Sequence, residues 1–83
     1  MKPRPDLATE VADGELIILD KAAGKVHQLN SSASFIWHCI GDGLETADIA
    51  LELSDAFGVE RESAFLDVEE VVARFLALEL VQE

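Results

Sequence analysis

The segment Leu19-Asp20, Lys21-Ala22-Ala23-Gly24, Lys25-Val26-His27-Gln28-Leu29-Asn30, running on into Ile36-Trp37, leaves the chain little freedom. Two strand-like stretches flank a four-residue connection in which Gly24 is available for positive φ. The second stretch stops at Asn30, whose side-chain oxygen is placed to accept from the amides of Ser32 or Ala33 and so open a helix. Strand, strand and helix are joined with almost no slack. Such a unit has a sheet edge close to helices, and an unpaired edge is a surface to which an extended peptide can add.

Upstream, Leu7 to Ala12 alternates as a strand, and Asp13-Gly14 is the turn dipeptide of a hairpin. Glu15 to Asp20 follows; its Leu16-Ile17-Ile18-Leu19 is apolar on both faces and is expected to be the central, most buried strand. Lys25 to Leu29 is polar enough for an edge. Downstream, Ala33, Ile36, Trp37 and Ile40 recur at helical spacing over Ser31 to Ile40, and Gly41-Asp42-Gly43 ends that helix. Thr46 is expected to cap a second helix carrying Ile49, Ala50, Leu53 and Phe57, which Gly58 stops. A third runs from near Arg61 to about Glu79. Ala64, Val68, Val71, Phe75 and Leu78 form one face of it, and Phe65, Val72 and Leu76 an adjacent one. That arc is wider than docking on one layer requires, so the helix either packs on two neighbours or leaves apolar surface in a groove. The predicted fold is α+β: an N-terminal three-stranded antiparallel sheet followed by three helices, a winged-helix-like order. Residues 1–6, with both prolines, are expected to be a flexible arm, and residues 7–83 the domain.

Eighty-three residues make a single small domain with little room for a deep catalytic cleft. The net charge is −11, and from Asp42 onward twelve acids face only Arg61 and Arg74. That balance opposes nucleic-acid binding, which needs cations at phosphates, and favours a basic partner or simple solubility. No apolar run has the length of a membrane span, and the first residues lack a secretory h-region. The lone Cys39 cannot form an internal disulfide, which suits the cytoplasm. His38 and Cys39 are adjacent on a helix and point about 100° apart, and no Cys-x-x-Cys or His-x-x-x-His spacing exists, so neither metal nor cofactor is expected. Cys39 reads as a core residue, and Glu69-Glu70 and Glu60…Glu62 as solvated helix faces. No catalytic set emerges. What remains is backbone chemistry at the edge strand, with apolar surface on the third helix beside it.

Leu19-Asp20, Gly24-Lys25, Leu29-Asn30, the small Ala33, Ile36-Trp37 and Gly41-Asp42-Gly43 together resemble the PqqD-like family. So do Thr46, Ile49-Ala50, Phe57-x-Val59, Asp67-Val68 and Phe75 with Leu80-Val81. The resemblance covers about residues 8–82. It implies a RiPP recognition element, a winged-helix-like chaperone that binds the leader segment of a ribosomally made precursor peptide. Such a domain presents the leader to a modifying enzyme such as a radical S-adenosylmethionine enzyme, or to a leader peptidase and cyclase. In this family the leader adds as a strand beside the third strand and lies against the third helix. Carried over, the peptide-binding residues are Lys25, Val26, His27, Gln28 and Leu29 on the strand and Phe65, Val68, Glu69 and Val72 on the helix. Leu29, Asn30 and Trp37 are implied to hold the fold. The chain departs from the family pattern at Glu79, where a Gly usually precedes the final Leu-Val, and at Glu60-Arg61, a poorer helix opening. A proline at position 27 or 28 is expected to block strand addition, and Val68→Glu or Val72→Glu to spoil the groove. The alternatives are a winged-helix DNA-binding regulator, which the acidic third helix opposes, and a structural adaptor for a partner enzyme.

Overall fold

The computed structural model describes residues 1–83. In chain order the elements are β1 (Lys2–Pro3), β2 (Ala8–Ala12), β3 (Glu15–Asp20), β4 (Lys25–Gln28), α1 (Ser31–Gly41), α2 (Thr46–Phe57), α3 (Arg61–Ala77) and β5 (Val81–Gln82). β2, β3 and β4 form an antiparallel sheet in that spatial order and three helices follow, which is the expected α+β architecture. Asp13 and Gly14 join β2 to β3 with φ of 53° and 78°. Positive φ at both central residues makes a two-residue turn whose twist matches its strands.

β3 is the central strand, but it is buried on one face only. Leu16, Ile18 and Asp20 point into the core, while Glu15, Ile17 and Leu19 stay partly exposed. β3 is the most buried of the three strands, as expected, and its apolar outer face is only partly covered because the helical layer lies on the Leu16–Ile18 side alone. There Ile18 joins Ile36 and Ile40 of α1, Ile49 and Leu53 of α2, and Val68 and Phe75 of α3 in one cluster. Trp37 meets Phe75 edge to face, with ring centroids 5.3 Å apart, and so locks α1 to α3.

The passage from sheet to helix depends on two polar side chains. Asn30 Oδ1 accepts from the Ala33 amide at 2.9 Å, as expected of a cap. The buried Ser34 hydroxyl has a role that periodicity did not reveal. The Leu29 N–H donates to the Leu16 carbonyl at 2.8 Å, which closes one half of a ladder pair. The other half is opened: the Leu16 N–H donates to Ser34 Oγ at 3.0 Å, and Ser34 Oγ–H donates to the Leu29 carbonyl at 3.1 Å. A helix hydroxyl is thus inserted into the last rung of the sheet. Thr46 is not a cap: it is the first residue of α2, and Glu45 precedes it without a side-chain capping bond.

α3 ends at Ala77, two residues before the expected Glu79. Glu79 takes φ 59°, its N–H donates to the Leu76 carbonyl (3.0 Å), and the Leu80 N–H donates to the Phe75 carbonyl (2.9 Å). This is the bond pair of a Schellman termination. α1 ends the same way with Gly43 (φ 88°), whose N–H donates to the Ile40 carbonyl while the Leu44 N–H donates to Cys39. In α3 a glutamate occupies the glycine position, held there because Leu80 and Phe75, the two ends of the longer bond, are both fully buried.

The first six residues, expected as a flexible arm, are placed against the domain. Lys2 and Pro3 pair antiparallel with Gln82 and Val81, and the Arg4 N–H donates to the Leu80 carbonyl at 2.9 Å. A two-residue strand gives no periodic signal, and its partner lies at the far end of the sequence.

Two stability measurements check these assignments. Ser34→Ala leaves the Leu16 N–H and the Leu29 carbonyl each without a partner and should cost about 1–3 kcal/mol in urea unfolding. Glu79→Gly removes the strain of a left-handed glutamate and, after the greater chain entropy of glycine, should add about 0.5–1 kcal/mol.

Candidate functional site

β4 has β3 on one side and no strand on the other. The Leu29–Leu16 bond marks an inward-bonding pair. Alternation along the ladder therefore turns the main-chain groups of Lys25 and His27 toward β3 and leaves those of Val26 and Gln28 pointing away from the sheet. The second edge, β2, is open as well, with Thr9 and Val11 facing outward by the same rule. What distinguishes β4 is the wall beside it. The register puts Lys25 beside Asp20 and His27 beside Ile18, on the helix side, whereas Val26 and Gln28 lie on the outer face with Leu19 and Ile17. Beside Lys25 and His27 opens a cleft of about 370 Å³, bounded also by Arg4, Asp20, Ala22, Ala23, Ala77, Leu78 and Glu79. The Cα atoms of α3 and β4 stay more than 8 Å apart, so the edge is not covered by the helix.

Of the expected strand residues, Lys25, Val26 and Gln28 are exposed, with Val26 at 67%, and His27 is half-buried. Gln28 Nε2 donates to Glu15 Oε1 at 3.1 Å on the outer face. Leu29 is buried at the corner into α1. The expected helix residues divide differently. Val68 has no exposed surface and Val72 almost none, so both are core residues. Phe65 and Glu69 are exposed, but with Val72 they share the helix flank of Leu76, which borders a separate cleft with Val81 and Gln82. The helix residues that line the β4 cleft are Ala77 and Leu78. By helical spacing that wall continues back through Arg74 and Val71, about half a turn of the helix away from Phe65, Glu69 and Val72. The sequence pattern puts Val71 and Leu78 on one face with Ala64, Val68 and Phe75, of which Val71 is only partly buried and Leu78 is exposed.

Arg4 holds the two walls together. Its Nη2 donates to Oδ1 of the buried Asp20 on β3, its Nη1 donates to the Glu79 carbonyl beyond α3 at 2.9 Å, and its Nε donates to Asp6 Oδ1 at 2.7 Å. Asp20, 2% exposed, also accepts from the Ala23 N–H at 3.2 Å and so shapes the turn before Lys25. Hydrogen bonding to the Arg4 guanidinium holds the Asp20 carboxyl below its ordinary range, against the opposing effect of burial. Asp6 is lowered by the same guanidinium, and the Arg4 pKa is pushed further up.

Elsewhere, burial, followed by the Glu52 and Asp42 carboxylates, raises the Cys39 thiol, which keeps it protonated and unreactive at neutral pH. No three His, Cys, Asp or Glu side chains gather as metal ligands. No helix is long and apolar enough to cross a membrane.

The profile of the family described as Coenzyme PQQ synthesis protein D (PqqD) matches residues 15–81. No curated protein matches the chain. Two solved structures superpose on nearly all of it. One is lasso peptide synthetase B1 complexed with the leader peptide, with a TM-score of 0.88 and 28% identity, covering 99% of this chain and 96% of the other. The second is TbiB1 in complex with the TbiA(beta) leader peptide, with a TM-score of 0.90 and coverage of 99% and 95%; at 21% identity it speaks for the fold.

The Asp20 pairing predicts a pH signature. A carboxyl whose native pKa is depressed contributes stability that is complete above its unfolded value of about 4 and drains away as pH falls through the native value. Thermal unfolding of wild type and Asp20→Asn should differ most near neutrality and converge below about pH 4. A gap that stays constant down to acid pH would show that the Asp20 charge is not what Arg4 stabilises.

Proposed function

Because the chain belongs to the PqqD family, we propose that it is a leader-peptide recognition domain. It takes the leader segment of a ribosomally synthesised precursor as a strand beside β4 and presents it to a modifying enzyme. The observation that carries this reading is the free edge of β4, where the Val26 and Gln28 amides and carbonyls point away from the sheet, next to a cleft lined by Lys25, His27 and the end of α3. An extended peptide there gains main-chain hydrogen bonds to Val26 and Gln28. Its side chains alternate between the outer face, beside Val26, and the cleft, beside Lys25, His27 and Leu78. β2 offers an edge with four of its five residues exposed and no comparable cleft among those found beside it. Lasso peptide synthetase B1, which shares this fold, is complexed with a leader peptide, and that supports leader binding as the function.

The proposed contact set is therefore Lys25, Val26, His27 and Gln28 with Ala77 and Leu78. Leu29, Val68 and Val72 act by holding the walls in place, and Phe65 and Glu69 belong to the other flank of α3. The domain itself performs no chemistry in this reading. The catalysis belongs to the enzyme it serves in the cytoplasm, a radical S-adenosylmethionine enzyme or a leader peptidase with its cyclase.

The ladder geometry separates two proline substitutions that look equivalent in sequence. Gln28→Pro removes an N–H that points away from the sheet, so the fold should survive while leader affinity falls at least tenfold. His27→Pro removes an N–H bonded to β3 and should unfold the hairpin. Calorimetric titration with a synthetic leader of the cognate precursor, alongside circular dichroism, checks both. A folded Gln28→Pro variant with unchanged affinity would exclude strand addition at β4.

A further inference from the structure

The turn between β3 and β4 gathers half of the lysines and arginines of this acidic chain. Six Lys and Arg residues face seventeen acids in the whole sequence, yet Arg4, Lys21 and Lys25 all lie around the β3–β4 turn, with His27 next to them. The charges are not equivalent. Asp20, the buried acid of the cleft, is already paired with Arg4 and with the Ala23 amide. Lys21 and Lys25 are exposed and pair with no carboxylate, although the register puts Lys25 directly opposite Asp20. Glu79, on the helical wall, is the cleft's one acid without a cation.

A strand added at β4 meets Lys25 in a defined way. Because Val26 and Gln28 make the outward hydrogen bonds, the residues opposite Lys25 and His27 fall in non-hydrogen-bonded pairs. In such pairs the strands approach more closely and the two side chains share a face. The residue opposite Lys25 therefore projects into the cleft, one strand spacing of about 4.8 Å from the lysine stem. Toward the other end of β4 the neighbouring charge is negative, with Glu15 bonded to Gln28. We propose that the leader segment recognised here carries an aspartate or glutamate at the position opposite Lys25, and that this ion pair fixes the register of the strand. Main-chain bonding is indifferent to a two-residue slip, so the register needs a side-chain determinant, and Lys25, the one unpaired cation that lines the cleft, supplies one.

This inference rests on leader binding at β4. Its test uses the full chain and a synthetic leader of the cognate precursor, with each Asp or Glu replaced in turn by Asn or Gln. Replacement at one position should weaken binding about three- to tenfold, and Lys25→Gln should weaken binding of the unchanged leader by a similar factor. The two changes together should cost no more than either alone. Lys25→Glu paired with Lys at that leader position should recover binding, and Glu79→Gln should tighten binding of the unchanged leader slightly. The charge-pair proposal falls if Lys25→Gln binds as wild type does, if no single leader acid matters, or if the leader has none and still binds tightly. Leader binding that survives in those cases leaves the recognition function standing, whereas a wild-type chain that does not bind the leader at all overturns both.

Discussion

A buried carboxylate needs a cation, and in this fold that need ties three distant parts of the chain together. Asp20 ends the central strand with its side chain inside the protein, where an unpaired charge is strongly disfavoured. The cation is Arg4, which reaches it only because Lys2 and Pro3 pair with β5. The same guanidinium bonds the Glu79 carbonyl at the end of α3. The strand wall and the helix wall of the cleft are thus referred to one planar group with several donors, whose rigid geometry suits that task better than a lysine would.

The opposite end of the sheet is fixed by a hydroxyl. Ser34 replaces one ladder bond between β3 and β4 with a bridge through α1, so the strand cannot slide relative to the helix that follows it. With Asn30 capping the same turn, β4 is held at both ends and its outward main-chain groups remain free. A free edge is ordinarily a hazard for aggregation. Here it is short, flanked by exposed lysines, and set beside a cleft, which suits reversible pairing with a peptide.

Much of the architecture was legible because it is written in local chemistry. Asp13-Gly14 dictates a tight hairpin, Gly24 a turn, Asn30 a helix start, and the spacing of Ile36, Trp37 and Ile40 a buried helix face; all are observed. The departures share a cause. β3 is the most buried strand, as its apolar composition implies, yet how far its outer face is covered depends on how many layers a small chain can supply. α3 was expected to run to Glu79 because nothing local stops it, yet the burial of Leu80 against Phe75 forces the turn. Phe65, Val68, Glu69 and Val72 are carried over from the family resemblance rather than read from this chain's pattern, and only the tertiary structure shows that Val68 and Val72 are buried and that Ala77 and Leu78 border the cleft.

The sequence by itself determined the order of the three sheet strands and the three helices and the edge character of β4, because turns, caps and periodicities act over a few residues. The tertiary structure alone decided that Arg4 is a clamp rather than part of a loose arm, that Ser34 belongs to the sheet, and that Val26 and Gln28 are the residues whose backbone is free. Each of these depends on contacts between residues far apart in the chain or on the phase of a ladder. Neither is encoded in any single segment; both follow from which hydrogen bonds and charges the folded core leaves unsatisfied.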